Sequence, residues 1–175
     1  GVIMCLFYYD NDLHQAERQL DLVEAINILL RKADREKNER NLSTLLINAW
    51  FYYFEGDVNS SPVTYDATLF ISAWKESIDK GLKAFYDSDC FCFAAGYTLG
   101  LHGFYFDLKY ESQGHTLMER CRLITLNDRL LGLANYNLGN QKFPYKNKSY
   151  YKMLFPNNSI IDQYFCEMIN MWKIK

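Results

Sequence analysis

The stretch CFCFAAGYTLGLHGFYF (90–106) holds the residues of this chain best placed to do chemistry: the thiols of Cys90 and Cys92, the imidazole of His102 and, just beyond it, Asp107. A thiol nucleophile needs a histidine base and an orienting carboxylate or amide, and no local signature here brings such a set together. Cys-x-Cys is also the wrong spacing for a zinc knuckle, and no second CxxC or HxxxH accompanies it. The reading is therefore two buried small hydrophobes and a hydrogen-bonded histidine near a helix face. No metal and no cofactor are expected. The chain has no glycine-rich phosphate loop, no HExxH and no GxSxG, so no catalytic residue is assigned and the expectation is a protein that is not an enzyme.

A second stretch, KFPYKNKSYYKMLF (142–155), places Lys142, Lys146, Lys148 and Lys152 among Tyr145, Tyr150 and Tyr151. Charge interleaved with rings suits single-stranded nucleic acid. The rest of the chain is acidic and carries no RNA-binding motif, so nucleic acid is not the expected partner.

These residues must be held by helices. With 175 residues, three prolines and nine glycines, the chain fits one domain, 1–175, with little room for disorder. After DND (10–12), Leu13, Ala16, Leu20, Val23 and Leu30 repeat at helical spacing in one continuous helix. A second helix starts at Asn41 and stops at Glu55-Gly56. Ser61-Pro62 reads as the start of a third, carried by Val63, Ala67, Phe70, Trp74, Ile78 and Phe85. Further helices are expected from about His115 to Leu126, from Asp128 to Leu138 with Gly139 closing it, and on both sides of Pro156. VIMCLFYY at the start is strand or helix. The fold expected is all-α, seven or eight helices packed as antiparallel pairs.

The 90–106 stretch is seventeen residues without a charge between Asp89 and Asp107. A membrane span needs about 20 apolar residues with basic flanks, so this is expected to be a central core helix and no membrane is a partner. Gly96, Gly100 and Gly103 fall on one face, where a neighbouring helix must come close. Five scattered cysteines fit reduced thiols better than a disulfide framework, and VIMCLF is too short for a secretion signal and lacks a basic flank. The expected location is cytoplasmic.

Leu101 and Tyr105, then Gly114, Met118 and Cys121, with Leu126 at the closing position, follow the spacing of a tetratricopeptide helix pair. AWFYYFEGD (49–57), with Ala49, Tyr52 and Gly56, follows the end of such a repeat's first helix. Thr98 and His102 depart from the pattern. Over roughly 40–140 the chain thus resembles degenerate tetratricopeptide-like pairs, which implies a helical scaffold or adaptor binding a peptide or partner protein. In size, helical character and Asn- and Tyr-rich composition it also resembles the small all-helical immunity proteins of bacterial contact-dependent inhibition and polymorphic toxin systems. That resemblance implies a monomer or weak dimer that binds a cognate toxin domain, often a nuclease, and blocks its active site or substrate channel.

Charge adds a direction. Residues 1–58 carry ten acids and six bases, residues 59–111 seven and four, and residues 112–175 four and nine. A basic toxin domain would meet the acidic part, and the candidate binding residues are Asp57, Tyr65, Asp66, Asp87, Asp89, Asp107 and Glu111. Tyr65 is the candidate aromatic anchor.

Overall fold

The computed structural model describes residues 5–105 and 108–173, giving the backbone alone at 57–60, 108 and 109. Asp107 lies outside the described residues, and Asp57 is placed by its backbone in a helix. The fold is all-α, with nine α-helices and one 3-10 turn among the described residues.

Helices α1 (Asn11–Arg18) and α2 (Leu22–Arg35) replace the single helix that periodicity suggests. The break is a Schellman turn: Asp21 N–H donates to Ala16 C=O at 2.9 Å and Leu20 N–H to Glu17 C=O at 3.0 Å. Leu20 sits at φ 55°, the left-handed position usually given to glycine, and its carbonyl accepts from Val63 N–H at 3.0 Å. Asp21 then caps α2 by accepting from Glu24 N–H at 3.0 Å.

Helix α3 (Glu39–Ser60) starts at the cap Asn38 and runs past Gly56. Ser61 is the left-handed residue that ends α3, and α4 (Ala67–Ala84) begins later, capped by Asp66. Val63 accordingly lies outside α4 and is 76% exposed, while Phe70, Trp74 and Ile78 are buried as expected. Helix α5 (Asp89–His102) starts at the cap Ser88 and passes into the 3-10 turn Gly103–Tyr105. Helices α6 (Leu108–Ile124) and α7 (Asp128–Asn137) follow, and α7 closes at Gly139, φ 70°. Pro156 separates the short α8 (Lys148–Lys152) from α9 (Ile160–Asn170). Residues 5–9 are neither strand nor helix. Leu6 donates its N–H to Leu154 C=O at 3.0 Å, which ties this start beside α8.

Helices α3 and α4 pack as one antiparallel pair and α5 and α6 as another, α5 on α6 most extensively, while α3 runs parallel to α5 with Trp50 beside Tyr97 and Phe54 beside His102. Residues 90–99 of α5 are all buried, so it is the central helix. A Cβ on Gly96 would lie 2.8 Å from Met118 N, and one on Gly103 would lie 3.0 Å from Glu111 Cα. The third close approach is made from the other side: a Cβ on Gly114 of α6 would lie 2.7 Å from Gly100 Cα. Gly100 itself is exposed, and a Cβ there meets nothing within 4 Å, contrary to the expectation of a three-glycine contact face on α5. Gly100 offers its backbone to α6 while the position a side chain would take faces away.

Among the described residues no helix is long and apolar enough to cross a membrane.

Candidate functional site

Helix α5 separates the groups that could have formed a thiol site. Cys90 and Cys92 lie at its start, their thiols donating to Leu6 C=O at 3.4 Å and Tyr86 C=O at 3.3 Å. His102 lies at its end, about 15 Å of helix away from Cys92. Burial pushes both thiols up to about 12, against the activation a nucleophile requires. His102 Nδ1 accepts the Trp50 indole N–H at 2.9 Å, and its ring stacks on Phe54 at 3.7 Å between centroids. Burial holds it below the usual histidine value, so at neutral pH it is the uncharged Nε2–H tautomer. Among the described residues no group of three or more His, Cys, Asp or Glu is placed to hold a metal ion.

The candidate acidic residues divide between two ends of the bundle. Asp57 lies in the C-terminal part of α3, to which Tyr65, next to Asp66, is joined through Tyr53 C=O, and Glu111 of α6 lies against Gly103 at the end of α5. Asp87 and Asp89 lie at the far end, beyond the 18 residues of α4, about 27 Å of helix. There Asp87 pairs with Arg120, whose guanidinium lies 4.1 Å above the Tyr86 ring. Asp89 accepts from Cys90 N–H at 2.8 Å and the Thr125 hydroxyl at 2.7 Å. Those two acids serve the fold. Asp66 caps α4 while remaining exposed, and Glu111 is exposed. Tyr65 is turned inward: its hydroxyl donates to Tyr53 C=O at 2.7 Å and its ring meets Phe70 edge-on at 5.1 Å.

The exposed rings at the Asp66–Glu111 end are others. Leu101, Phe104 and Tyr105 are 46%, 59% and 55% exposed, in the last turn of α5 and the 3-10 turn after it. Phe104 packs on Tyr105 at 4.8 Å, and Tyr105 meets the edge of Phe54 at 5.0 Å. Phe54, half-buried, rests in turn on buried Trp74 and half-buried His102, so packed rings hold this apolar corner in place. The sequence signal was GFYF: three rings just where the helix must end and its burial with it.

A second polar site was not legible. Glu17, on α1 and only 5% exposed, accepts the Tyr52 hydroxyl at 3.0 Å on one oxygen and Ile160 N–H of α9 at 2.7 Å on the other. It lies where two clefts meet. One, of about 370 Å³, is lined by Tyr9, His14, Arg18, Asn158 and Gln163; the other, about 530 Å³, by Leu20, Phe51, Tyr164 and Glu167. Burial, with the nearby charge of Asp162, pushes the Glu17 carboxyl up to about 7 against the two hydrogen bonds that favour its ionised form. The Tyr9 hydroxyl and His14 Nδ1 are hydrogen-bonded to each other across the mouth. Both Glu17 oxygens are occupied by protein donors, so the group's evident task is to join α1, α3 and α9.

Part of the lysine- and tyrosine-rich stretch is engaged within the fold, while Lys142 and Lys146 are exposed. Lys146 and Arg129 each lie 4.4 Å from the Tyr150 ring, Tyr151 is buried and accepts Lys146 N–H, and the Tyr145 hydroxyl donates to Asn140 C=O.

No family model matches the chain, and neither the curated proteins nor the solved structures include a match to it.

Proposed function

We propose that this chain is a non-catalytic protein-binding module, and specifically an immunity protein that neutralises a cognate bacterial toxin domain by covering its active site or substrate channel. The observation that carries the reading is the apolar corner of Leu101, Phe104 and Tyr105, exposed yet backed by the packed rings of Phe54 and His102, at the end of the bundle that also bears Asp66 and Glu111. Rigid rings give large contact area at little entropic cost, and flanking acids favour a basic partner. Charge would act mainly on the association rate, because exposed pairs add little to affinity.

The test is binding to the toxin domain encoded beside the gene. Phe104→Ala with Tyr105→Ala is expected to weaken binding by about 2 kcal/mol or more, roughly thirtyfold, through faster dissociation. Asp66→Lys with Glu111→Lys is expected to slow association and leave dissociation nearly unchanged. A neighbouring toxin bound equally well by all these variants would remove this corner from the interface; no binding to it at all would remove the immunity reading.

The antiparallel pairs α3–α4 and α5–α6 favour a second reading, the tetratricopeptide-like adaptor. Gly114, Met118 and Cys121 suit it, since they pack against α5 or lie buried. Leu101 and Tyr105, in the leucine and tyrosine positions of that resemblance, are exposed.

A further inference from the structure

Helix α9 is fastened at its first turn by two buried carboxyl groups that lie 145 residues apart in the chain. Glu17 of α1 accepts Ile160 N–H at 2.7 Å, so the helix begins on a side chain from the opposite end of the sequence. Asp162, 1% exposed, accepts Asn157 N–H at 2.9 Å with Oδ2, and its own N–H donates to the cap Ser159 Oγ at 3.0 Å. Asp162 Oδ1 is buried with no hydrogen-bond partner among the described residues. An ionised oxygen in that position is expensive; a neutral carboxyl is much less so.

We infer that the first turn of α9 is a proton-controlled latch, docked most firmly when Glu17 and Asp162 are neutral and loosened when both ionise.

The groups facing this seam are few. The N-terminal segment supplies Tyr9 and Asp10, α1 supplies His14 and Arg18 at the cleft rim, and α3 supplies Tyr52 and Arg40. Among the described residues Arg40 acts on Asp162 as a nearby positive charge, and its guanidinium is also engaged by Phe7 C=O at 3.0 Å. The amino end of α9 and the two hydrogen bonds favour the charged form of Glu17, but burial and the second carboxyl outweigh them. Burial likewise pushes Asp162 up to about 6, against the donors of Asn157 and Ser159 and the charge of Arg40. Both folded-state values are raised. The contribution of the pair is therefore fully present below the ordinary carboxylate range and is lost as pH rises through about 6 and about 7. What the latch holds is large: Ile161, Phe165 and Ile169 are core residues, Phe165 stacks on Phe155 at 4.8 Å, and the Tyr164 hydroxyl is bonded to that of Tyr97 at 2.6 Å.

The experiment is amide hydrogen exchange on the full chain between about pH 5.5 and about pH 8, reading α9 amides against α5 amides in the same sample so that intrinsic pH dependence cancels. Protection of α9 relative to α5 is expected to fall by about tenfold or more over that range, and the fall is expected to vanish in Glu17→Gln with Asp162→Asn. Carboxyl carbon shifts of the wild-type protein provide a measurement that needs no variant to fold. A relative protection that does not change with pH, a change that persists in the double variant, or both carboxyls titrating near pH 4 would each overturn the latch.

Discussion

Two close contacts hold this molecule together by opposite means. Where α5 meets α6, the side chains have been removed: Gly96, Gly103 and Gly114 let backbone lie on backbone, and a Cβ added at any of them falls within about 3 Å of main-chain atoms. Where α9 meets α1 and α3, the joint is made by an ionisable side chain, Glu17, which reaches two helices at once. The first contact has no charge to titrate and no flexible atom to yield. The second depends on whether a buried carboxyl holds a proton. Rigidity at the centre and adjustability at the edge thus arise from what occupies the gap between helices, an absent side chain or an ionisable one.

The sharpest way to break the comparison is Gly114→Ala. The new Cβ would press on the backbone of Gly100 and Leu99, which cannot rotate away, so α5 and α6 must separate along their length. Overpacking of that kind is expected to cost about 3 kcal/mol, a fall in Tm of roughly 6–12 °C for a chain of this size, with no dependence on pH. Thermal unfolding at two pH values checks both halves of the statement.

At the other joint, Glu17→Ala leaves the buried Tyr52 hydroxyl and Ile160 N–H without their acceptor, an expected loss of about 1–3 kcal/mol. This penalty is expected to change with pH. Below the ordinary glutamate range Glu17 is neutral in both folded and unfolded chains; as pH rises through about 7 the folded chain must carry its buried charge, so the wild-type protein loses more stability than the variant, which retains only the Asp162 contribution to lose. Denaturant titrations should therefore show the gap between the two narrowing from pH 5.5 to pH 8, and a gap that widens would reverse the assigned direction.

The two joints also differ in how far the sequence reveals them. Glycines three and four apart in an uncharged run are a local signal of a close helix contact, and α5 is indeed the most buried helix. The Glu17 joint links residues 143 apart in the chain, and a glutamate in an amphipathic helix carries no mark of being inside. The same distinction explains the helix ends. NLGN announces the Schellman turn after α7 because Gly139 takes the left-handed position, whereas QLD hides the equivalent turn after α1 because Leu20 takes it at φ 55°. That conformation costs a leucine about 1–2 kcal/mol locally and is held by tertiary bonds, among them Val63 N–H to Leu20 C=O. Of the candidate binding residues, Asp66 and Glu111 are exposed, as acids at helix ends and in loops are expected to be. Sequence could not tell that Tyr65 turns inward, or that Asp87 and Asp89 lie at the far end, engaged by Arg120 and Thr125.

The smallest expected effect is the most discriminating one, because it concerns a glycine on the same stretch of α5. Gly100 shares the spacing of Gly96 and Gly103, and by spacing alone any side chain there should wedge the helices apart. In the folded chain a side chain on it would point to open space, and the crowding at that position comes from Gly114 pressing on its backbone. Gly100→Ala should then add helix propensity without adding a clash, raising stability by about 0.5–1 kcal/mol. Tm is expected to rise by roughly 1–4 °C, and the larger Gly100→Leu should be tolerated as well. The crossed combination is the decisive one: Gly114→Ala should remain severely destabilised whether residue 100 is glycine or alanine, since it is the main chain at 100 that is struck. A destabilised Gly100→Ala, or one that rescues Gly114→Ala, would mean that α6 approaches α5 from a different side and that the central joint is not backbone on backbone.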